Sequence, residues 1–212
     1  MTGLLLAGIL VLSYVLGSIP MGLIIAWLKT GRDLRATGSG KTGATNVMRS
    51  AGRGLGFLTL FLDGLKAFAA VLAASLLWPY AVEHMGGSPI TVPMVQGLAG
   101  LVAILGHNRP IFAGFRGGRG VSSFFGSMCI IHLPAALLGI GVLTAVALIS
   151  RFMSLGSILG GLATCVVMAI LYLTGLVPWP HLAYALVAVG ILTFEHRDNI
   201  GRLRNGTERK LF

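Results

Sequence analysis

The chain has 212 residues, of which 55% are apolar and 10% charged, with sixteen Lys and Arg against six Asp and Glu. An ordinary soluble domain carries about 25% charged residues, and a chain this small cannot hide so much apolar surface in one core. A soluble globular domain is therefore excluded, and the basic excess on an apolar background favours an anionic membrane over nucleic acid as the partner surface. Cys129 and Cys165 both sit in apolar runs, which fits small buried hydrophobes and implies neither a disulfide framework nor a zinc site.

The first apolar run, residues 4–28, has no basic segment ahead of it and is too long for a signal peptide, so it is expected to be a retained span. About 20 apolar residues cross a bilayer as a helix, with roughly 17 as a lower limit. Residues 55–78, 134–150 and 155–174 also qualify, and residues 93–106, 121–131 and 181–194 are shorter candidates. Short spans go with local thinning, re-entrant segments or ends covered by protein. The expectation is one all-α integral membrane domain over residues 1–212 with about seven transmembrane helices.

Charge orients it. With the N-terminus outside, one side receives Lys29, Arg32, Arg35, Lys41, Arg49 and Arg53, then Arg109, Arg116 and Arg119, then Arg151, and a tail of Arg197, Arg202, Arg204, Arg209 and Lys210. The turns on the other side, near 79–92, 132–134 and 175–180, hold no Lys or Arg. Positive residues stay inside, so the loops and C-terminus are expected to be cytoplasmic. Trp78, Tyr80 and Trp179 fall at outer span ends and read as interface anchors with His181 beside them. Asp63 and Lys66, three apart on one helix, read as a local ion pair. The Gly156–Gly160 spacing reads as a close-packing helix face.

Gly-Ser-Gly-Lys-Thr at 38–42 looks like the end of a nucleotide-binding P-loop, but the opening glycine would fall at 35, which is Arg. The strand and helix such a loop needs are missing from the pattern. The underlying physics still applies: glycines turn backbone N–H groups toward an anion, and cations neutralise it. A second glycine-rich basic loop spans 106–120, where Pro110 stops a helix and Phe112 and Phe115 can anchor in the interface. A third segment, 195–208, brings His196, Asp198, Asn199, Arg202, Arg204 and Glu208 directly after the last span. Three such segments on one side suggest a convergent anion site. His107 reads equally as a helix-end hydrogen bond or a substrate contact.

Together these segments resemble the acyl-phosphate-dependent glycerol-3-phosphate acyltransferases of bacterial inner membranes. That family's S-G-N-x-G-A-T-N-x-x-R is matched by Ser39 to Arg49, its G-H-x-x-P-x-F-x-x-F-x-G-G-K-G by residues 106–120, and its H-x-x-N-I-x-R-L-x-x-G-x-E by His196 to Glu208. Gly17 to Gly22 resembles the break in the family's first span. Two positions depart: Lys41 replaces an Asn, and Arg119 replaces a Lys, which is not a neutral exchange. The resemblance implies transfer of a fatty acyl group from acyl phosphate to the 1-hydroxyl of glycerol 3-phosphate, with no metal, nucleotide or other cofactor and no nucleic-acid partner. It implies Ser39, Thr45, Asn46, Gly118 and Ser154 at the acyl phosphate, and Arg49, Arg119, Asn199 and Glu208 at the glycerol 3-phosphate. Catalytic roles fall to His196, Asn199 and Arg49, with Glu208 also fitting a loop brace. Either His196 or a substrate phosphate would take the hydroxyl proton. An anion transporter is the rival reading, but such proteins often carry inverted repeats and midplane polar groups, and no repeat is visible here.

Overall fold

The computed structural model describes residues 1–85 and 87–211, and among these the regular structure is helical. Helix α1 (Thr2–Ser18) and helix α2 (Met21–Thr30) form one broken span. Pro20 has no N–H to donate and pushes Ile19 out of helical geometry, and Ile19 is extended at φ −63°, ψ 115°. The Ile19 carbonyl accepts from Lys66 Nζ at 2.8 Å. A backbone break at membrane depth persists only where its polar groups find partners in the protein.

The chain then runs through a short 3₁₀ turn (Leu34–Ala36) into α3 (Ala44–Ala51) and the long α4 (Arg53–His84). Helix α5 (Val92–Asn108) follows, then a second 3₁₀ turn (Ile111–Ala113), α6 (Val121–Ile131) and the hairpin α7 (Leu133–Ser150)–α8 (Met153–Leu173). Helices α9 (Trp179–Glu195) and α10 (Arg197–Arg204) end the chain. Every apolar segment expected to span is helical. Among the described residues, four helical stretches are long and apolar enough to cross a membrane: Thr2–Thr30, Arg53–His84, Leu133–Ser150 and Met153–Leu173. Many large apolar side chains point outward, among them Phe61, Leu76, Leu137, Leu148, Val166 and Leu173. Water would not tolerate that much contiguous apolar surface, whereas lipid does.

Helix α1 lies against α4 and α5, α6 against α4, α7 against α8, and α9 between α8 and α5. The core between them holds Trp78, Val95, Phe124, Met128, Met168, Tyr184 and Leu192. The expected small-residue face of α8 packs against α7, where a Cβ on Gly160 would come within 2.6 Å of the Gly139 carbonyl. Two anchor assignments are corrected. Trp78 is only 1% exposed and donates its indole N–H to the Ile90 carbonyl at 2.9 Å. α4 continues through Pro79 to His84, so Trp78 faces the bundle rather than the interface. His181 Nε2 hydrogen-bonds Gln96 Oε1 at 2.8 Å. Tyr80 and Trp179 are exposed as expected of anchors.

Candidate active site

The first basic loop is shaped by Asn46. Its amide donates to the carbonyls of Leu34, Thr37 and Lys41 at 3.2, 3.1 and 2.8 Å, and its Oδ1 accepts the Ser39 N–H at 3.2 Å. Asn46 is buried, and its polar atoms are engaged by the loop it closes, so it organises the cradle from within. Helix α2 backs this loop at Gly22, where any Cβ would collide with the Thr42 carbonyl.

The second loop starts where Pro110 follows the end of α5. The Gly118 N–H donates to the His107 carbonyl at 3.1 Å, and a Cβ at Gly118 would strike the His107 ring at Nε2. Loops one and two are tied together: the Thr42 N–H donates to the Gly117 carbonyl at 3.4 Å, and Arg35 Nη1 donates to the Ala113 carbonyl at 3.0 Å. Phe112 and Phe115 of this loop are exposed.

The third segment is organised by Glu208, which accepts from Ser154 Oγ at 2.8 Å, Asn199 Nδ2 at 2.5 Å and Arg202 Nε at 2.7 Å. These donors hold its carboxyl below the ordinary range against the opposing effect of burial, so it is an ionised brace. Because an ionised carboxylate only accepts, Asn199 must turn its NH₂ toward it, which leaves Asn199 Oδ1 buried and without a partner. Ser154 likewise directs its hydroxyl proton to Glu208. Arg49 reaches across to the carbonyls of Arg209 and Lys210 at 3.3 and 3.2 Å, so the tail is stitched to α3.

These three segments and the start of α8 close around a cleft of about 260 Å³. All ten expected site residues line it: Ser39, Thr45, Asn46 and Arg49, then Gly118 and Arg119, then Ser154, then His196, Asn199 and Glu208. Lys41, Arg202 and Arg209 add further cations, while the lining acids are Asp63, Asp198 and Glu208. Asp63 is already paired, with Lys66 Nζ at 2.8 Å and His107 Nδ1 at 3.5 Å. Arg119 has a buried Nε with no partner. The cleft is thus cation-rich with donors unengaged, as an anion site requires. Met48, Leu60, Val121, Leu143 and Met153 give it an apolar flank.

His196 sits between α9 and α10, 3% exposed, with Nδ1 2.8 Å from the Leu192 carbonyl. The carbonyl can only accept, so Nδ1 carries the proton and Nε2 is left as an acceptor. Burial, reinforced by the Arg119 charge, pushes its pKa down to about 4 despite the Leu192 hydrogen bond. The ring is neutral at physiological pH.

Among the charged lining groups, three were not assigned a site role by the sequence reading. Arg209 lies one residue beyond the last motif, and only its adjacency to Glu208 hints at it. Asp63 appeared only as a helix ion pair, although its charge beside a span end on the basic side was a signal. Lys41 stood out as a departure without a visible partner.

A family model described as glycerol-3-phosphate acyltransferase matches residues 7–206. A relative named glycerol-3-phosphate acyltransferase 3 from Dehalococcoides mccartyi (strain CBDB1) is 41% identical, covering 96% of this chain and 94% of its own. A glycerol-3-phosphate acyltransferase from Trichormus variabilis is 38% identical, covering 98% and 92%. Among solved structures, the glycerol 3-phosphate form of PlsY (YgiH), an integral membrane glycerol 3-phosphate acyltransferase, superposes with a TM-score of 0.81 at 36% identity, covering 97% of this chain and 94% of that one. Its lysophosphatidic acid form gives 0.78 at 34% identity. With its apolar helices, this likeness makes the chain a multi-pass integral membrane protein. It belongs to the glycerol-3-phosphate acyltransferase family of PlsY type.

Proposed function

We propose that the protein transfers a fatty acyl group from acyl phosphate to the 1-hydroxyl of glycerol 3-phosphate, giving lysophosphatidic acid and phosphate, from a site at the cytoplasmic face of a bacterial inner membrane. About seven spans with the N-terminus outside put the basic loops on that face. The observation that carries the reading is the closure of three glycine-rich basic segments on one cleft with an apolar flank. Two phosphate-bearing substrates, one with a lipid tail, need many cations beside a greasy wall.

An acyl phosphate is already activated, so the reaction needs orientation and charge stabilisation more than a protein nucleophile. The hydroxyl oxygen attacks the acyl carbonyl carbon, the bond from that carbon to the phosphate oxygen breaks, and phosphate departs with the electron pair. Ser39, Thr45 and the backbone at Gly118 face the acyl-phosphate head, and Arg49 and Arg119 neutralise phosphate charge. Asn46 contributes by holding the cradle, and Ser154 by bracing Glu208. Asn199 Oδ1, an acceptor, suits a glycerol hydroxyl better than a phosphate oxygen. His196 Nε2 accepts a hydrogen bond from the attacking hydroxyl. A pKa near 4 makes it a weak base, so the proton ends on phosphate oxygen.

The test is purified, detergent-solubilised protein given acyl phosphate and glycerol 3-phosphate with metal chelated and no nucleotide. Lysophosphatidic acid by mass spectrometry is the expected product. An anion transporter would make none, and strict dependence on a nucleotide or metal would contradict the reading.

A further inference from the structure

Glu195 is 5% exposed and does not line the cleft, yet it touches both loops that do. Its Oε1 lies 3.0 Å from Arg109 Nη2 in loop two, and its Oε2 lies 3.6 Å from Lys41 Nζ in loop one. It also directly precedes His196. A carboxylate at the last residue of α9 stands at the wrong end of the helix dipole, and a buried charge persists only when well paired. Arg109 supplies the close arm of that pairing, and Lys41 supplies a longer, purely electrostatic one, since Oε2 is buried without a hydrogen-bond partner. Arg109 is itself fixed from behind, since the Tyr14 hydroxyl of α1 donates to its carbonyl at 2.8 Å and its own Nη1 donates to the Asn108 carbonyl at 3.0 Å. Lys41 occupies the position at which the family pattern has Asn, and in this chain its charge faces Glu195.

We infer that Glu195 is a positioning residue for the acyl transfer proposed above: its two-armed ion bridge sets loop 37–46 against loop 106–120 and thereby aligns the two bound phosphate esters for attack. The inference rests on that reading of the site. Its signature is specific. Misalignment of reacting groups slows the chemical step. Removing a carboxylate near a site for dianions does not weaken their binding. A role in stability alone would instead lower the amount of folded enzyme.

The experiment measures kcat, both KM values and the thermal midpoint in detergent for the wild type, Glu195→Gln, Lys41→Asn and the double variant. Glu195→Gln is expected to lower kcat about tenfold, equivalent to about 1.4 kcal/mol, with neither KM raised. Lys41→Asn, at a side chain 31% exposed, is expected to lower kcat a fewfold with the fold retained. In the double variant the Lys41 change is expected to add nothing, because both act through one contact. If Glu195→Gln fails to fold, the decision passes to Lys41→Asn, where an unchanged kcat overturns the inference. Unchanged kcat in Glu195→Gln, both KM values raised, or additive losses would each overturn it too. If wild-type enzyme makes no lysophosphatidic acid, the reading of the reaction falls. If it does and the variants match it, only the bridge falls.

Discussion

At the scale of single residues, the cleft holds groups with an unengaged polar atom and groups whose polar atoms brace others. His196, with Nε2 free to accept, belongs to the first set and Glu208 to the second. With the His196 pKa pushed down to about 4 from an unperturbed value of about 6.5, the free enzyme keeps a neutral ring throughout pH 5–8. The acid limb of kcat/KM for glycerol 3-phosphate is then expected to follow the second ionisation of the substrate phosphate, with a pKa of about 6. It should keep its shape in His196→Asn while the rate drops. An acid limb that disappears in that variant would assign it to the imidazole. The same depressed pKa bears on stability: below about pH 6.5 an unfolded chain takes up a proton that the buried ring refuses. The thermal midpoint should therefore gain full benefit above that pH and lose it as pH falls toward 4. That His196, Asn199, Arg49 and Arg119 would come together was legible from residue type and motif, and all four line one cleft. What was not legible was hydrogen-bond direction. Only the contacts around Glu208 reveal that Asn199 presents oxygen and that Ser154 points its proton elsewhere.

At the scale of elements, apolar run length was enough to place the apolar helices but not the polar α3 and α10, and residues 121–131 match α6 as observed. The sequence reading ended a span at Trp78, but α4 runs through Pro79 to His84. Proline removes one donor from a long helix, and the surrounding helices can re-satisfy the freed carbonyl. Burial of Trp78 depends on how the chain after α4 folds back to Ile90, which no local pattern encodes. The broken α1–α2 span makes a sharper point. Asp63 and Lys66 have the spacing of a helix ion pair and form one, but Lys66 also caps the exposed Ile19 carbonyl. Lys66→Met would leave the buried Asp63 carboxylate short of its cation and the Ile19 carbonyl with only the Met21 N–H as donor. The expected cost is about 3–5 kcal/mol, read as a lower thermal midpoint in detergent. Adding Asp63→Leu should recover much of it, because a buried pair replaced whole by apolar side chains is often near neutral. A double variant as unstable as the single would contradict this role.

At the scale of the whole molecule, three segments separated by some 60 to 80 residues in sequence meet because the helices between them return the chain repeatedly to one side. That convergence was legible in outline, since glycine and arginine recur together after spans that the charge rule puts on one face. The pairings that lock it, Glu195 with Lys41 and Arg109 and Arg49 with the tail carbonyls, were not, because partners so far apart in sequence leave no spacing to read. The central claim is that this shared cleft is where acyl transfer happens. The most direct measurement is kcat/KM for both substrates in folded, purified Arg49→Ala and Arg119→Ala, one variant from each of two lining segments. Loss of a phosphate-gripping arginine should cost about 2–4 kcal/mol of transition-state binding, roughly 30- to 1,000-fold, in each. Near-normal turnover in both would contradict the account.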